Sequence, residues 1–383
     1  MSDLPLVDPD LALLSEGRHL IDVRAPVEFA QGALPGAVNL PLMDNEERRL
    51  VGIEYKQRGQ AAAIALGERL VSGEVKAARV AAWMAELERY PDAIVYCFRG
   101  GLRSQIAQQW IREAGITRPR IRGGWKAMRQ ALCARIDAAA EQPLLVVGGL
   151  TGCAKTDLVL ALDNGLDLEG CARHKGSAFG RHPLQAPGQI DFEHAMGLRL
   201  LELPGPVVVE DESRHIGGAN LPQAFWEAMQ RAPRLRVEMP LDWRLAQIHR
   251  DYIEELWAVY RRQFGEWLGW ALMRKQLEES LAKLRKRLGS ARLARLQRLQ
   301  ALAFREHERG NPQAHEAWLA PLLTEYYDPM YRHQLEKRDP GHFLHVGDWE
   351  SCLVVAREWS NEQKTSLQAM FGHSVAETGI ARG

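Results

Sequence analysis

The sequence predicts an α/β protein of two successive domains, each an open sheet with an anion-binding loop at a strand end. Three observations carry this. The apolar run Ala93-Ile94-Val95-Tyr96 ends in Cys97, a Gly100-Gly101 loop and a helix-like segment. The run Leu144-Leu145-Val146-Val147 ends in a glycine-rich loop closed by Lys155-Thr156, again ahead of helix-like sequence. Beyond residue 241 the pattern turns to helices rich in Lys and Arg. Strand, loop and helix in that order build open α/β sheets, whose ligands sit at the carboxyl ends of the strands.

Composition narrows the function classes. The chain has 383 residues, 46% hydrophobic and 26% charged, which is globular and long enough for about two domains. Lys plus Arg and Asp plus Glu each number 49, so any nucleic-acid contact must be a local patch rather than a global field. Cys97, Cys133, Cys153, Cys171 and Cys352 are odd in number, far apart and without a CxxC pair. That pattern excludes a disulfide framework and a zinc site. The N-terminus lacks a basic-then-apolar leader, and no apolar run approaches a membrane span. The expectation is a cytoplasmic protein with reduced thiols and no membrane partner.

Residues 1–140 form the first domain. His19 to Arg24 reads as a strand ending in charge, and Ala25 to Gly32 as a turn-rich segment carrying Glu28. Asp22, Arg24 and Glu28 are expected to form a surface ion pair of little energetic worth. Gly36 to Pro41 is a second short strand, Gln60 to Val71 an Ala-rich helix, and Lys76 to Tyr90 an amphipathic one. Gly67 lies inside the Ala-rich helix, where glycine costs about 1 kcal/mol against alanine; close packing is the favoured reason and approach to a ligand the alternative. Cys97 then ends a buried strand. The N–H groups of its loop can turn inward around an anion, and the same field favours thiolate over thiol. Cys97 is therefore a candidate nucleophile, with Arg99 and Arg103 holding the anion. Pro119 to Trp125 adds a short strand and a Gly-Gly, and Gly124 to Ala140 a helix leading to the linker Glu141-Gln142-Pro143.

The segments Asp22-Val23-Arg24, Glu28-Phe29, Gly32 to Pro41, the Cys97 loop and Pro119 to Trp125 together resemble a rhodanese domain over about residues 5–135. The resemblance implies a sulfur- or selenium-transfer role for Cys97. One departure is the loop itself, with five residues between Cys97 and Arg103 where ordinary rhodaneses carry four before the closing polar residue. A wider cradle suits a larger or selenium-containing anion.

Residues 141–383 form the second domain. Gly149, four residues, a small residue and then Lys155-Thr156 match the P-loop arrangement. The glycines let N–H groups close on phosphate oxygens, Lys155 neutralises them, and Thr156 caps the helix and can hold Mg²⁺. The loop from Gly149 through Thr151, Gly152 and Cys153 is the expected diphosphate cradle, on a helix N-terminus whose dipole adds to it. Ala154 stands where the pattern has glycine and resists left-handed dihedrals. The cradle then binds nucleotide weakly or takes another phosphate ligand. Pro206 to Ser213 resembles a Walker B strand, placing Glu210 or Asp211 near a metal, or at a solvated strand end. Between the two strands, Arg173, His174 and Lys175 look like phosphate ligands on a loop.

Leu241 to Leu268 reads as one helix, and Gly269 to Arg309 as two amphipathic helices broken at Gly289-Ser290, all within a helical region at about 241–338. From Arg274 to Arg309 there are eleven Lys or Arg against four Glu. Arg274, Lys275, Lys283, Arg285, Lys286 and Arg287 are the candidates for tracking RNA phosphate, the alternative being an ordinary solvated helix pair. Tyr326, Tyr327 and Tyr331 could stack on an unstacked base or pack in the core. Phe343 to Gly347 is a last strand, a helix follows to about Thr365, and the tail to Gly383 is expected to fray.

A rhodanese domain joined directly to a P-loop domain carrying Glu169-Gly170, His174, Gly176-Ser177, Phe179-Gly180 and Glu210-Asp211-Glu212-Ser213 resembles the tRNA 2-selenouridine synthase family across nearly the whole chain. The resemblance implies a transferase acting on the anticodon arm of tRNA. It would geranylate wobble 2-thiouridine with geranyl diphosphate, then replace S-geranyl with selenium from selenophosphate. It implies no tightly bound cofactor, with Mg²⁺ a further candidate. Cys97 is then a covalent selenium carrier or a nucleophile assisting thiol departure. The competing readings are an ATP-dependent tRNA sulfurtransferase or RNA-directed kinase, and a non-catalytic tRNA-binding protein.

Overall fold

A computed structural model describes residues 4–183, 186–203, 205–336 and 343–377. They gather into two compact units: residues up to 136 with 188–202, and residues 137–187 with those from 203 onward. Each is an α/β unit around its own parallel sheet.

The first sheet contains β1 (Leu6–Val7), β2 (Leu20–Asp22), β3 (Ala37–Asn39), β4 (Ile94–Tyr96) and β5 (Arg120–Ile121), in the order β1-β5-β4-β2-β3. All four pairings are parallel. β4 sits at the centre and is buried throughout, as a strand covered on both faces must be. Ile21, Val23, Trp83, Leu87, Val95 and Ile111 fill one core beside it. The expected turn after β2 contains a short helix, Pro26–Ala30. The expected surface ion pair is instead a buried one: Arg24 Nη2 lies 2.7 Å from Asp22 Oδ2 and both side chains are almost wholly covered. Arg24 also donates to the Gly32 carbonyl, so the charges are satisfied where they are desolvated.

The Ala-rich helix ends at Leu70, close to its expected bounds, and is joined at Gly59, where φ is 82°, to a preceding helical arm that starts at Asn45. Asp44 accepts from the Glu47 N–H at 2.8 Å, and Glu47 accepts from the Asp44 N–H at 2.7 Å, a reciprocal cap. The helix Gln189–Leu201 packs in this first unit, although its place in the sequence puts it in the second domain. Ile190, Leu198 and Leu201 pack against the cluster of Trp125, Met128 and Leu132, and Arg129 pairs with Glu193.

The second sheet contains β6 (Leu144–Gly149), β7 (Gly165–Leu166), β8 (Val207–Glu210), β11 (Arg234–Val237) and β12 (Phe343–Gly347), in the order β12-β11-β6-β8-β7. All are parallel. β9 (His215–Ile216) and β10 (Ala219–Asn220) form a separate hairpin. The helix Trp349–Glu377 lays Cys352, Ala356 and Trp359 on the sheet core. The tail beyond it, expected to fray, lies outside the described residues.

The helical region departs from a single helix over 241–268. It runs as Leu241–His249, a π-type turn at Arg250–Glu254, then Glu255–Phe264, and breaks at Gly265, where φ is 74°. Glu266–Lys283, Arg285–Leu288 and Ser290–Glu308 follow, with the expected break at Gly289. Leu277, Leu281, Leu293 and Leu296 meet Phe304 and Trp318 in one core. Tyr326 and Tyr327 belong to that core, which removes them from any stacking role.

Candidate functional site

Two cavities contain candidate residues named from the sequence, one in each unit. The first opens at the carboxyl end of β4 and has a volume of about 540 Å³. Cys97 follows the strand directly and is only 2% exposed. Its thiol donates to Ser104 Oγ at 3.2 Å, and the Ser104 hydroxyl donates to the Gly101 carbonyl at 3.0 Å. The helix Leu102–Glu113 starts one residue beyond Gly101. Gly124 approaches the Cys97 backbone closely: its φ is 58° and its missing Cβ would stand 2.2 Å from the Cys97 carbonyl oxygen. Only glycine fits there, and the Trp125 N–H then reaches that carbonyl at 2.9 Å.

The two arginines expected to hold an anion differ. Arg103 donates twice to Glu28, at 2.5 and 3.2 Å. Glu28 also pairs with Arg48 at 3.0 Å. Burial opposes charge on Glu28, but Arg103, the Ala25 N–H and Arg48 hold its carboxyl below the ordinary value. Arg103 is therefore a positioned, neutralised group, and the exposed Arg99 is the loop's available cation. Glu28 and Ser104 were not singled out as site residues in the sequence; Glu28 reaches Arg103 across 75 positions.

The second cavity, of about 410 Å³, opens where β6 meets the helix Lys155–Leu160. Ala154, the residue out of pattern, takes the left-handed conformation all the same, at φ 51° and ψ 44°. That conformation costs a non-glycine residue about 1–2 kcal/mol. Its carbonyl accepts from Leu158 N–H and Trp349 Nε1, which hold it there. Lys155 Nζ donates to the Gly149 carbonyl at 3.3 Å and faces the Tyr331 ring at 6.0 Å. Burial works against its charge, but Tyr331, Glu212, Cys153 and Glu169 keep its pKa above the ordinary lysine value. Thr151, Gly152, Thr156, Arg173 and His174 line the cavity. Burial, helped by His215 and Lys283, holds the His174 pKa down.

Several expected roles change. Thr156 does not cap its helix; its hydroxyl donates to Glu169 Oε2 at 3.1 Å. Cys153 turns into the sheet core beside Leu158 and Val237, and burial pushes its thiol pKa up. Neither Walker B candidate lines the cavity. Glu210 is fully buried and accepts from the Leu168 N–H at 3.0 Å, while Asp211 is held by Arg234 at 2.8 Å. The next carboxylate, Glu212, lines the cavity instead, with Glu169 and Tyr331. Burial and the charge of Glu169 raise the Glu212 pKa to about 8. Glu212 lies beyond the strand end, so strand alternation could not single it out.

The match to known families extends over both units. The description "tRNA 2-selenouridine synthase AAA domain" fits residues 142–363, and "Rhodanese-like domain" fits residues 10–131. The chain is 71% identical over 357 residues to the tRNA 2-selenouridine synthase of Chromohalobacter salexigens, covering 93% of this chain and 98% of that one. The chain belongs to the tRNA 2-selenouridine synthase family. The relatives from Serratia proteamaculans and Bordetella bronchiseptica carry the same name. They are 48% and 49% identical, over 83% and 90% of this chain and 87% and 96% of theirs.

In this member of the tRNA 2-selenouridine synthase family, the basic helices divide into paired and open charges. Arg274 bonds Glu278 at 2.9 Å and lies 3.8 Å from Glu308. Lys275 lies 3.9 Å from Glu279, and Arg287 donates to the Tyr326 hydroxyl at 3.0 Å. Lys283, Arg285 and Lys286 are exposed with no ion pair among the described residues. Among the described residues, no helix is long and apolar enough to cross a membrane.

Proposed function

We propose that this enzyme converts the wobble 2-thiouridine of tRNA to 2-selenouridine in two steps, one in each cavity. The observation that carries the reading is the pair of cavities at the carboxyl ends of two sheets, one presenting a half-buried lysine and the other a buried thiol. In the first step geranyl diphosphate lies in the P-loop cavity. The thiocarbonyl sulfur attacks the geranyl carbon, the carbon–oxygen bond to diphosphate breaks, and the base gives up its N3 proton. Lys155 and the loop N–H groups stabilise the diphosphate as charge builds on it. In the second step selenophosphate supplies selenium to C2 and the geranyl thiol departs; hydrolysis of the Se–P bond leaves the selenocarbonyl. Cys97 acts at that carbon as nucleophile: its thiolate adds to C2 and expels the geranyl thiolate, the selenium of selenophosphate then displaces Cys97, and Arg99 meets the incoming anion.

The hydroxyl of Thr156 and the carboxylates of Glu169 and Glu212 are hard oxygen donors beside a phosphate cradle, a set that fits Mg²⁺ bound jointly with substrate phosphates. Mg²⁺ there would draw charge from the leaving diphosphate. A nucleotide-dependent reading, ATP-driven sulfurtransfer or RNA phosphorylation, draws on one observation, the P-loop conformation that Ala154 adopts.

The test is nucleoside mass analysis of thiolated tRNA incubated with the protein and geranyl diphosphate, with and without selenophosphate. The expected products are S-geranyl-2-thiouridine without the selenium donor and 2-selenouridine with it. Activity only when ATP is added would replace the prenyl reading with the nucleotide one.

A further inference from the structure

The helix Asn45–Leu70 is broken at Gly59, where φ is 82° and ψ is −175°. A straight helix would hold Val51 and Gly67 about 24 Å apart, at ~1.5 Å per residue. Instead, a Cβ built on Gly67 would stand 3.8 Å from Val51 Cγ2. The break therefore doubles the helix back, and its two arms roof a cavity of about 320 Å³.

The walls are apolar. Leu42, Val51, Ala63, Ile64, Ile106 and Trp110 supply most of them. The charged residues in the lining are Arg103, which pairs with Glu28, and Glu68, which is exposed, with Gln60 a further exposed polar residue. Gly67 bears on what the space is for. Glycine is among the poorest helix formers, so the sequence points first to tight packing. The structure removes that reason, since 3.8 Å to Val51 is ordinary contact and no other atom comes within 4 Å. What the missing side chain leaves is room in the cavity.

This space adjoins the thiol. Leu102 and Arg103 line both it and the Cys97 cavity. Leu42, Ile106 and Trp110 pack in the same cluster as Cys97. Tyr55, 57% exposed, and Leu102, 44% exposed, are apolar residues left at the rim. The volume is at the lower end of the ~300–1,000 Å³ typical of small-ligand sites. An uncharged, flexible hydrocarbon chain attached to a group at Cys97 fits the walls, the size and the position.

We infer that this cavity holds the geranyl chain of the S-geranyl base while C2 stands at Cys97. It thereby selects the prenylated intermediate over bare 2-thiouridine for selenium transfer. The inference rests on the two-step reading above. It adds a second prenyl-binding site, in the first unit, distinct from the P-loop that takes the diphosphate.

The test is direct binding of anticodon stem-loop RNAs carrying S-methyl-, S-dimethylallyl- or S-geranyl-2-thiouridine to the full chain, without a selenium donor. Affinity is expected to rise with chain length, by up to about a thousandfold from the five-carbon to the ten-carbon group if each carbon is fully buried. Ala63→Phe, which fills the cavity, should bring the S-geranyl RNA down toward the S-methyl value. Tyr55→Asp, at an exposed rim position, should do the same without touching the core. Equal affinity for all three RNAs, or a length dependence that neither variant moves, overturns the inference. Adding selenophosphate separates the two readings. Length dependence that Tyr55→Asp abolishes, with no 2-selenouridine formed from any RNA, keeps the prenyl cavity and removes the two-step reaction. Turnover without length dependence does the reverse.

Discussion

Glu212 sits beside Lys155 and Glu169 with a pKa of about 8, against 4.5 for an ordinary glutamate. Between those values the folded chain binds a proton that the unfolded chain has released, so Glu212 lowers stability as pH rises through that window. Glu212→Gln should therefore raise the melting temperature over wild type by an amount that grows from about pH 5 to about pH 8. Melting curves at the two pH values check this; a constant difference would mean that Glu212 is ionised throughout. The same residue marks where sequence reading reached its limit. Lys155 and Thr156 were legible because a P-loop is local, with its groups a few residues apart. Glu212 was not singled out over Glu210 and Asp211, because which of three adjacent acids faces the loop depends on Arg234 and the Leu168 N–H. Arg103 shows the same limit. Its type and spacing suggest an anion clamp, and only the fold brings Glu28 against it.

At the scale of elements, the helices from 266 to 308 present two kinds of charge. Arg274 is tied to Glu278 and lies near Glu308, whereas Arg285 and Lys286 flank the break at Gly289 and stand open. Reversing Arg285 and Lys286 to Glu should weaken tRNA binding and reduce the slope of log affinity against log salt by about 1.5, at ~0.7–0.9 per phosphate contact. Reversing Arg274 should change that slope less. Filter binding across a salt series reads both, and unchanged affinity in the double variant would make these helices structural. The leucine faces and the Gly289 break were readable from periodicity alone. The break at Gly265 was not read from the pattern, because apolar residues continue across it. The doubling back at Gly59 was equally hidden, since its evidence is a contact between residues 51 and 67.

For the whole molecule, two cavities in two units predict separable steps. Lys155→Ala should abolish geranylation of thiolated tRNA yet still convert preformed S-geranyl-tRNA to 2-selenouridine when selenophosphate is present. Cys97→Ser should accumulate the S-geranyl nucleoside and bind tRNA normally. Nucleoside analysis of both variants decides; loss of both steps in either one would place the two reactions at a single site. The amino-acid sequence by itself determined the two α/β sheets, the cysteine loop at the end of β4, the glycine-rich loop at the end of β6 and the family. These features rest on hydrophobic runs and on loops a few residues long, where local sterics and hydrogen bonding decide the conformation. Tertiary structure alone decided that the helix Gln189–Leu201 joins the first unit, that Asp22 and Arg24 are buried, and that Glu28 takes Arg103. It also decided that an apolar cavity lies against the Cys97 site. Each of these depends on groups distant in sequence being desolvated together. A buried charge or an apolar wall is defined by what covers it, and that cover comes from elsewhere in the chain.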